Sequence, residues 1–122
     1  MQLAATRIIT DDVDRLVQFY EQVTGVTATR LHPLFAELRT STGTLAIASS
    51  KTAPLLEGAV RANANQSVTL DFLVDDVEAS YLRLQSVVDT FVNEPTTMPW
   101  GNRSLLFRDP DGNLINVFTP QS

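Results

Sequence analysis

Few side chains in this sequence could hold a catalytic metal ion or act as a nucleophile. The chain of 122 residues contains one histidine, His32, and no cysteine. A site made of two imidazoles and a carboxylate is therefore impossible within one chain, and thiol chemistry is excluded. The candidates that remain are polar residues inside apolar, strand-like stretches: Arg7, Asp71 and Asn116. Asn116 stands in the run LINVF, where a buried strand would favour an apolar residue.

The strand-like stretches belong to a sequence pattern that occurs twice. Residues 6–20, TRIITDDVDRLVQFY, align with residues 70–84, LDFLVDDVEASYLRL, at a shift of 64. In each, a β-rich run is followed by two aspartates that can cap a helix and by apolar residues at helical spacing. Residues 35–49 align with residues 104–118 at a shift of 69, and each segment reads as a hairpin. The repeat indicates a duplicated module.

The order of elements in each half predicts an α+β fold. Short strands are expected before the hairpins, at residues 27–31 and 90–92. In the second hairpin, Asp-Pro-Asp-Gly supplies proline where a type I turn wants a fixed φ and glycine where φ is positive. We therefore predict a single domain, residues 1–122, made of two βαβββ modules. The modules span about residues 1–50 and 67–122, and a linker spans about residues 51–66.

At this level of detail the chain resembles the vicinal oxygen chelate superfamily, which includes glyoxalase I, extradiol dioxygenases and bleomycin-resistance proteins. The resemblance rests on three segments: DDVDRLVQFYEQVTG, DDVEASYLRL and PWGNRSLLFRDPDGNLINVF. It implies that the two modules form a curled mixed sheet around a cleft. It also implies a homodimer, with clefts built from two modules that often belong to different subunits.

The resemblance further implies where a metal would be bound, on the first and last strands of each module. The matching positions in this chain are Ala5, Ile47, Thr69 and Asn116. Alanine and isoleucine have no donor atoms, and the neutral oxygens of threonine and asparagine are weak ligands for zinc, iron or nickel. We therefore expect no metal at this location and no cofactor.

Arg7 and Asp71 occupy corresponding positions of the repeat. Strand alternation places Arg7 on the same face as Ala5, and Asp71 on the same face as Thr69. They could form a structural ion pair, because a buried charge without a partner is costly. They could instead bind a polar ligand, with Asp71 meeting a cation or serving as a general base.

Three further residues lie before the hairpins. Trp100 and Phe35 could stack on a flat or cationic ligand, or pack on their own loops or on a partner subunit. His32 is either an exposed loop residue or a pH-sensitive ligand contact.

Composition excludes several classes of function. The formal net charge is −5, and the nine basic residues are scattered, which argues against nucleic-acid binding. No apolar run approaches the roughly 18–20 residues that span a bilayer, so no membrane association is expected. The absence of cysteine and of a recognisable signal peptide suggests a cytoplasmic protein.

The best interpretation is a metal-free protein of the bleomycin-resistance type that binds a small organic molecule, an antibiotic or a metabolite, without chemical change. No catalytic residue is predicted, and the predicted ligand-binding residues are Arg7, Phe35, Ile47, Thr69, Asp71, Trp100 and Asn116. The alternative is an enzyme, a glyoxalase-like lyase or a dioxygenase, with an atypical metal site. A third class is a structural or regulatory dimerisation module.

Overall fold

The computed structural model describes residues 1–120, and the chain divides after Ala64 into two compact units. Each unit has the order β-α-β-β-β and contains one mixed sheet of four strands. The predicted α+β class and the two βαβββ modules are therefore confirmed. That the modules make up one domain around a common cleft stays a prediction.

The elements of the first unit are β1 (Thr6–Thr10), α1 (Val13–Thr24), β2 (Thr29–His32), β3 (Phe35–Arg39) and β4 (Thr44–Ser49), followed by a 3₁₀ helix (Ser50–Leu56). The strand order of its sheet is β1-β4-β3-β2, and the edge strand β1 runs parallel to its neighbour β4. The predicted linker, residues 51–66, thus begins within a 3₁₀ helix.

The elements of the second unit are β5 (Thr69–Leu73), α2 (Val77–Leu84), β6 (Thr96–Thr97), β7 (Arg103–Arg108) and β8 (Leu114–Thr119). Its sheet repeats the arrangement of the first in the order β5-β8-β7-β6, with β5 parallel to β8. None of the helices in residues 1–120 is long and apolar enough to cross a membrane.

The aspartate pairs begin the helices as the sequence predicts, with one residue of each pair acting as the cap. The Asp12 carboxylate accepts from the backbone N–H of Arg15 over 3.1 Å, and Asp76 accepts from Ala79 over 3.1 Å. These bonds satisfy N–H groups that have no partner within the helix. Asp11 instead accepts from the Ser50 hydroxyl over 2.6 Å.

Each helix covers one face of the sheet in its own unit, and this face holds the core. In the second unit, Leu105, Phe107 and Ile115 are fully buried there, together with Leu84 of α2. We call the opposite face of each sheet its open face. Residues that pair across strands share a face, so the register identifies every member of each open face.

The strand predicted at residues 90–92 is wrong. Phe91 forms only an isolated bridge with Phe107, and the paired strand β6 lies later, at Thr96–Thr97. The amide oxygen of Asn93 accepts from the backbone N–H of Leu106 over 2.7 Å and so replaces a backbone carbonyl. Pro95 has no N–H to donate, which also interrupts the ladder.

Candidate ligand-binding site

The DPDGN segment forms a hairpin turn held together by one buried carboxylate. Asp109 is 5% exposed and accepts from the backbone N–H groups of Asp111 and Asn113, each over 2.9 Å. Its second oxygen accepts from the side-chain amide of Asn113 over 2.8 Å. Gly112 has φ 85°, a value that L side chains rarely adopt. This segment therefore has a structural role at the start of β8.

The two hairpins differ in length by one residue. In the first, Arg39 pairs with Thr44 around residues 40–43; in the second, Arg108 pairs with Leu114 around residues 109–113. Because the second turn contains one residue more, the shift between the repeats is 70 after the turn, not 69. The position in β4 that corresponds to Asn116 is therefore Ala46.

Ile47, predicted to share the ligand-binding face, lies on the opposite face of its sheet. It pairs with Ile8 and with Ala36, and its side chain is fully buried. Helix α1 packs on this side, where Ala36 is also fully buried. Ala46 pairs with Arg7 and takes the place on the open face that the uncorrected repeat gave to Ile47.

The open face of the second sheet contains a polar pair within an apolar surface. Asp71, Asn116 and Leu106 form one row across β5, β8 and β7. The side-chain amide of Asn116 donates to the Asp71 carboxylate over 3.2 Å. Asp71 is exposed, whereas the amide oxygen of Asn116 is buried and has no hydrogen-bond partner among the described residues. The hydrogen bond fixes the orientation of a carboxylate that is open to solvent.

Apolar side chains lie on both sides of this polar pair. The next row joins Leu73, Phe118 and Ser104, and Leu73 is 69% exposed. In the row on the other side, Leu114 lies between Thr69 and Arg108. The open face thus offers an anionic group with apolar contact area beside it, mainly from Leu73, Phe118 and Leu106.

Among the described residues of the second unit, Asp71 forms no ion pair. Arg108 donates to the backbone carbonyl of Gly112 over 2.9 Å. Arg103 forms an ion pair with Glu78 at the start of α2, with 2.6 Å between nitrogen and oxygen. Within this unit, Asn116 is therefore the partner of Asp71.

The donor atoms of this pair do not fit the transition-metal site that the fold family implies. Ionised Asp71 can only accept hydrogen bonds, so the amide nitrogen of Asn116 must face it and the amide oxygen must point elsewhere. Across residues 1–120, no three His, Asp or Glu side chains come close enough together to hold a metal ion. One carboxylate with an amide N–H beside it is a hydrogen-bonding site, not a coordination site.

The open face of the first sheet has the opposite charge at the corresponding position. Arg7 is exposed, and its guanidinium carbon lies 5.2 Å from the centre of the Phe35 ring, within the range of a cation–π interaction. Glu37 follows Arg7 and Ala46 in the same row and forms an ion pair with Arg39 at 2.9 Å. The predicted ion pair between Arg7 and Asp71 stays a prediction.

Trp100 lies in a turn outside the second sheet, whereas His32 ends β2 opposite Phe35, after a shift in the register of that strand pair. Trp100 is at the tip of the turn between β6 and β7, which is closed by the bond from Met98 N–H to the Asn102 carbonyl, and it is 68% exposed. His32 is exposed at the end of β2, where its Nδ1 accepts from the backbone N–H of Leu34 over 3.1 Å.

The structure thus brings some of the predicted site residues together within each unit. Thr69, Asp71 and Asn116 share one open face, and Arg7 and Phe35 share the other. Alternation along β5 already places Leu73 on the face of Thr69 and Asp71. Sequence reasoning missed the other apolar residues of this face, Leu106 and Phe118, because they required the register of the hairpin.

The fold and these open faces define a protein of the paired βαβββ class. The chain matches the Glyoxalase/Bleomycin resistance protein/Dioxygenase superfamily over residues 2–117 and belongs to this superfamily. The resemblance seen in the sequence is therefore confirmed.

Individual relatives support the same assignment. The uncharacterized protein YraH of Bacillus subtilis (strain 168) is 30% identical over 129 residues, which cover 97% of this chain and 98% of the relative. A glyoxalase/bleomycin resistance protein/dioxygenase from Nocardioides has a TM-score of 0.82 at 20% identity, covering 100% of this chain and 85% of that one. A family enzyme from Burkholderia phytofirmans PsJN has a TM-score of 0.83 at 19% identity, with coverages of 95% and 96%. The structural likenesses show a shared fold.

Proposed function

We propose that this protein binds a small organic cation, an antibiotic or a metabolite, on the open face of its second sheet without a metal ion. The observation that supports this most is the exposed carboxylate of Asp71, oriented by Asn116 and left without a basic partner in its unit. A cationic group of the ligand would meet Asp71, and its apolar part would cover Leu73 and Phe118.

The sizes of the expected interaction energies favour a ligand that has both a cationic group and an apolar part. The Coulomb attraction between an exposed carboxylate and a cation at about 4 Å contributes on the order of 1–4 kcal/mol, which alone gives millimolar affinity at best. Burying apolar area adds roughly 25 cal/mol per Å², so contact with the exposed side chain of Leu73 strengthens binding. A purely apolar ligand would cover the Asp71 carboxylate without pairing it, which is unfavourable.

The test uses the ¹⁵N-labelled full chain and three aromatic probes that differ in charge: benzyltrimethylammonium, benzyl alcohol and phenylacetate. We expect benzyltrimethylammonium to shift the backbone amides of β5 and β8 and to bind most tightly. Asp71→Asn, which keeps the shape and removes the charge, should weaken this binding about tenfold. The matched control is Asp75→Asn, which removes an exposed carboxylate beyond the end of β5. Equal binding of all three probes would contradict the proposal.

The enzymatic alternative, a lyase or dioxygenase with an atypical metal site, predicts a different result. Metal analysis of the purified full chain would then find zinc, nickel or iron at one equivalent, and Asp71→Asn would remove it. We expect no such stoichiometric metal, because the pair Asp71–Asn116 presents one carboxylate and an amide N–H.

We also propose a homodimer and a cytoplasmic location. The dimer is supported by the superfamily's common assembly and by an exposed apolar residue away from the open face, Leu82 of α2. The location is supported by the absence of cysteine. Sedimentation velocity of the full chain tests the assembly, since a monomer at all concentrations would contradict it.

A further inference from the structure

We propose that Asn65 is the positioning residue of the Asp71–Asn116 pair, because its side chain fixes the register of β5 against β8. Its amide nitrogen donates to the backbone carbonyl of Val68 over 3.0 Å and to the side-chain oxygen of Asn113 over 3.2 Å. Its amide oxygen accepts from the backbone N–H groups of Ser67 and Val68, over 3.2 and 2.9 Å. One side chain therefore joins the residues immediately before both parallel strands.

The other end of this connection is rigid. Asn113 is 5% exposed and is bound by its backbone N–H and its side-chain amide to the carboxylate of Asp109. Asn113 is also the last residue of the second hairpin turn, immediately before Leu114. The turn that gives β8 its different face alternation thus also provides Asn65 with its anchor.

Register decides whether the polar pair exists at all. Thr69 pairs with Leu114, and this alignment sets Asp71 opposite Asn116 two residues later. A slip of one residue would turn Asp71 to the other face of the sheet and set Leu70 or Phe72 against Asn116. Two parallel strands have no short turn between them to fix their alignment, so a side-chain link at their starts, such as Asn65, can fix it.

The inference concerns the site of the proposed function, and its main measurement does not depend on any ligand. In the ¹⁵N-labelled full chain, the side-chain NH₂ signal of Asn116 reports its hydrogen bond to Asp71. Asn65→Ala removes all four bonds of Asn65. Asn65→Asp is the milder variant, since its carboxylate can still accept from the N–H groups of Ser67 and Val68 but can donate neither to the Val68 carbonyl nor to Asn113.

We expect both variants to shift the Asn116 side-chain signal, to speed amide exchange in β5, and to weaken benzyltrimethylammonium binding about tenfold. Gln66→Ala, at an exposed neighbouring position, should change none of these. Asp76→Ala removes the cap of α2 and controls for lowered stability, so it should lower the melting temperature without moving the Asn116 signal.

Two results would overturn the inference. The first is an Asn116 signal that stays at its wild-type position in Asn65→Asp while the protein remains folded. The second is an equal displacement in Asp76→Ala, which would make it an effect of stability alone. If benzyltrimethylammonium binds none of the proteins, the proposed function fails, while the Asn116 signal still decides the role of Asn65.

Discussion

The side chains of Asp71 and Asn116 are joined by a hydrogen bond of 3.2 Å across the parallel strands β5 and β8. The second polar atom of Asn116, its amide oxygen, is buried and has no partner among the described residues. A buried polar atom without a partner costs about 1–3 kcal/mol. Departures of this kind from optimal stability are expected at binding sites.

Asn116→Leu should therefore make the protein more stable and less able to bind a cation. The apolar residue removes the unpartnered oxygen, so we expect the free energy of unfolding to rise by about 1 kcal/mol. Asp71 loses the group that orients it, so benzyltrimethylammonium binding should weaken. Urea denaturation and a probe titration measure the two effects.

The comparison for this variant is Asn102→Leu, in the turn between β6 and β7, which should leave both quantities nearly unchanged. A clear loss of stability in Asn116→Leu would show that the hydrogen bond to Asp71 outweighs the cost of the buried oxygen.

Removal of the Asp109 carboxylate should destabilise the second unit more than any other single change in the hairpin. Asp109 is 5% exposed and accepts from two backbone N–H groups and from the side chain of Asn113. Asp109→Ala leaves these buried donors unpaired, so we expect a loss of about 3 kcal/mol in urea denaturation. The exposed Asp75, changed to alanine, should cost much less. Similar values for the two variants would contradict the structural role of the DPDGN segment.

Much of the fold could be predicted because its signals are local. The β-rich runs, the aspartates before each helix and the Asp-Pro-Asp-Gly turn each specify a short segment. The repeat then gave the order of elements in both units. The correspondence of Arg7 with Asp71 also agrees with the strand pairing of the structure. Arg7 pairs with Ala46 in the first sheet, and Asp71 pairs with Asn116 in the second.

The part of the site that depends on register could not be predicted in the same way. A gapless repeat ignores the additional residue of the second turn, so it set Ile47 instead of Ala46 against Asn116. One residue of error is enough to exchange the two faces of a strand. To predict the contact between Asp71 and Asn116, one must know that β5 and β8 are neighbours in the sheet. No local sequence signal gives this information.

The glycines of the two hairpins should respond differently to the same substitution. Gly112 has φ 85°, whereas Gly43, which aligns with it in the sequence repeat, does not have a positive φ. An added Cβ meets nothing within 4 Å at either residue. Gly112→Ala should therefore cost about 1–2 kcal/mol from backbone conformation alone. Gly43→Ala should be neutral or stabilise by up to about 1 kcal/mol, because it reduces the entropy of the unfolded chain.

Thermal and urea denaturation of the two glycine variants measure this difference directly. Equal losses for Gly43→Ala and Gly112→Ala would mean that the two turns share one backbone conformation, contrary to their different lengths.

The two aspartates before α2 should be separable by mutation, although they are adjacent in sequence. Asp76 is the N-cap, with φ −148° and a bond of 3.1 Å to the N–H of Ala79. Loss of such a cap costs about 1 kcal/mol, so Asp76→Ala should lower the free energy of unfolding by that amount. Asp75 is exposed and lies one residue before the cap, so Asp75→Ala should change stability by less than about 0.5 kcal/mol. Asp76→Ser should retain most of the stability that Asp76→Ala loses, because a serine hydroxyl can accept the same hydrogen bond. If Asp76→Ser is as unstable as Asp76→Ala, the charge of Asp76 and not its capping bond stabilises the start of α2.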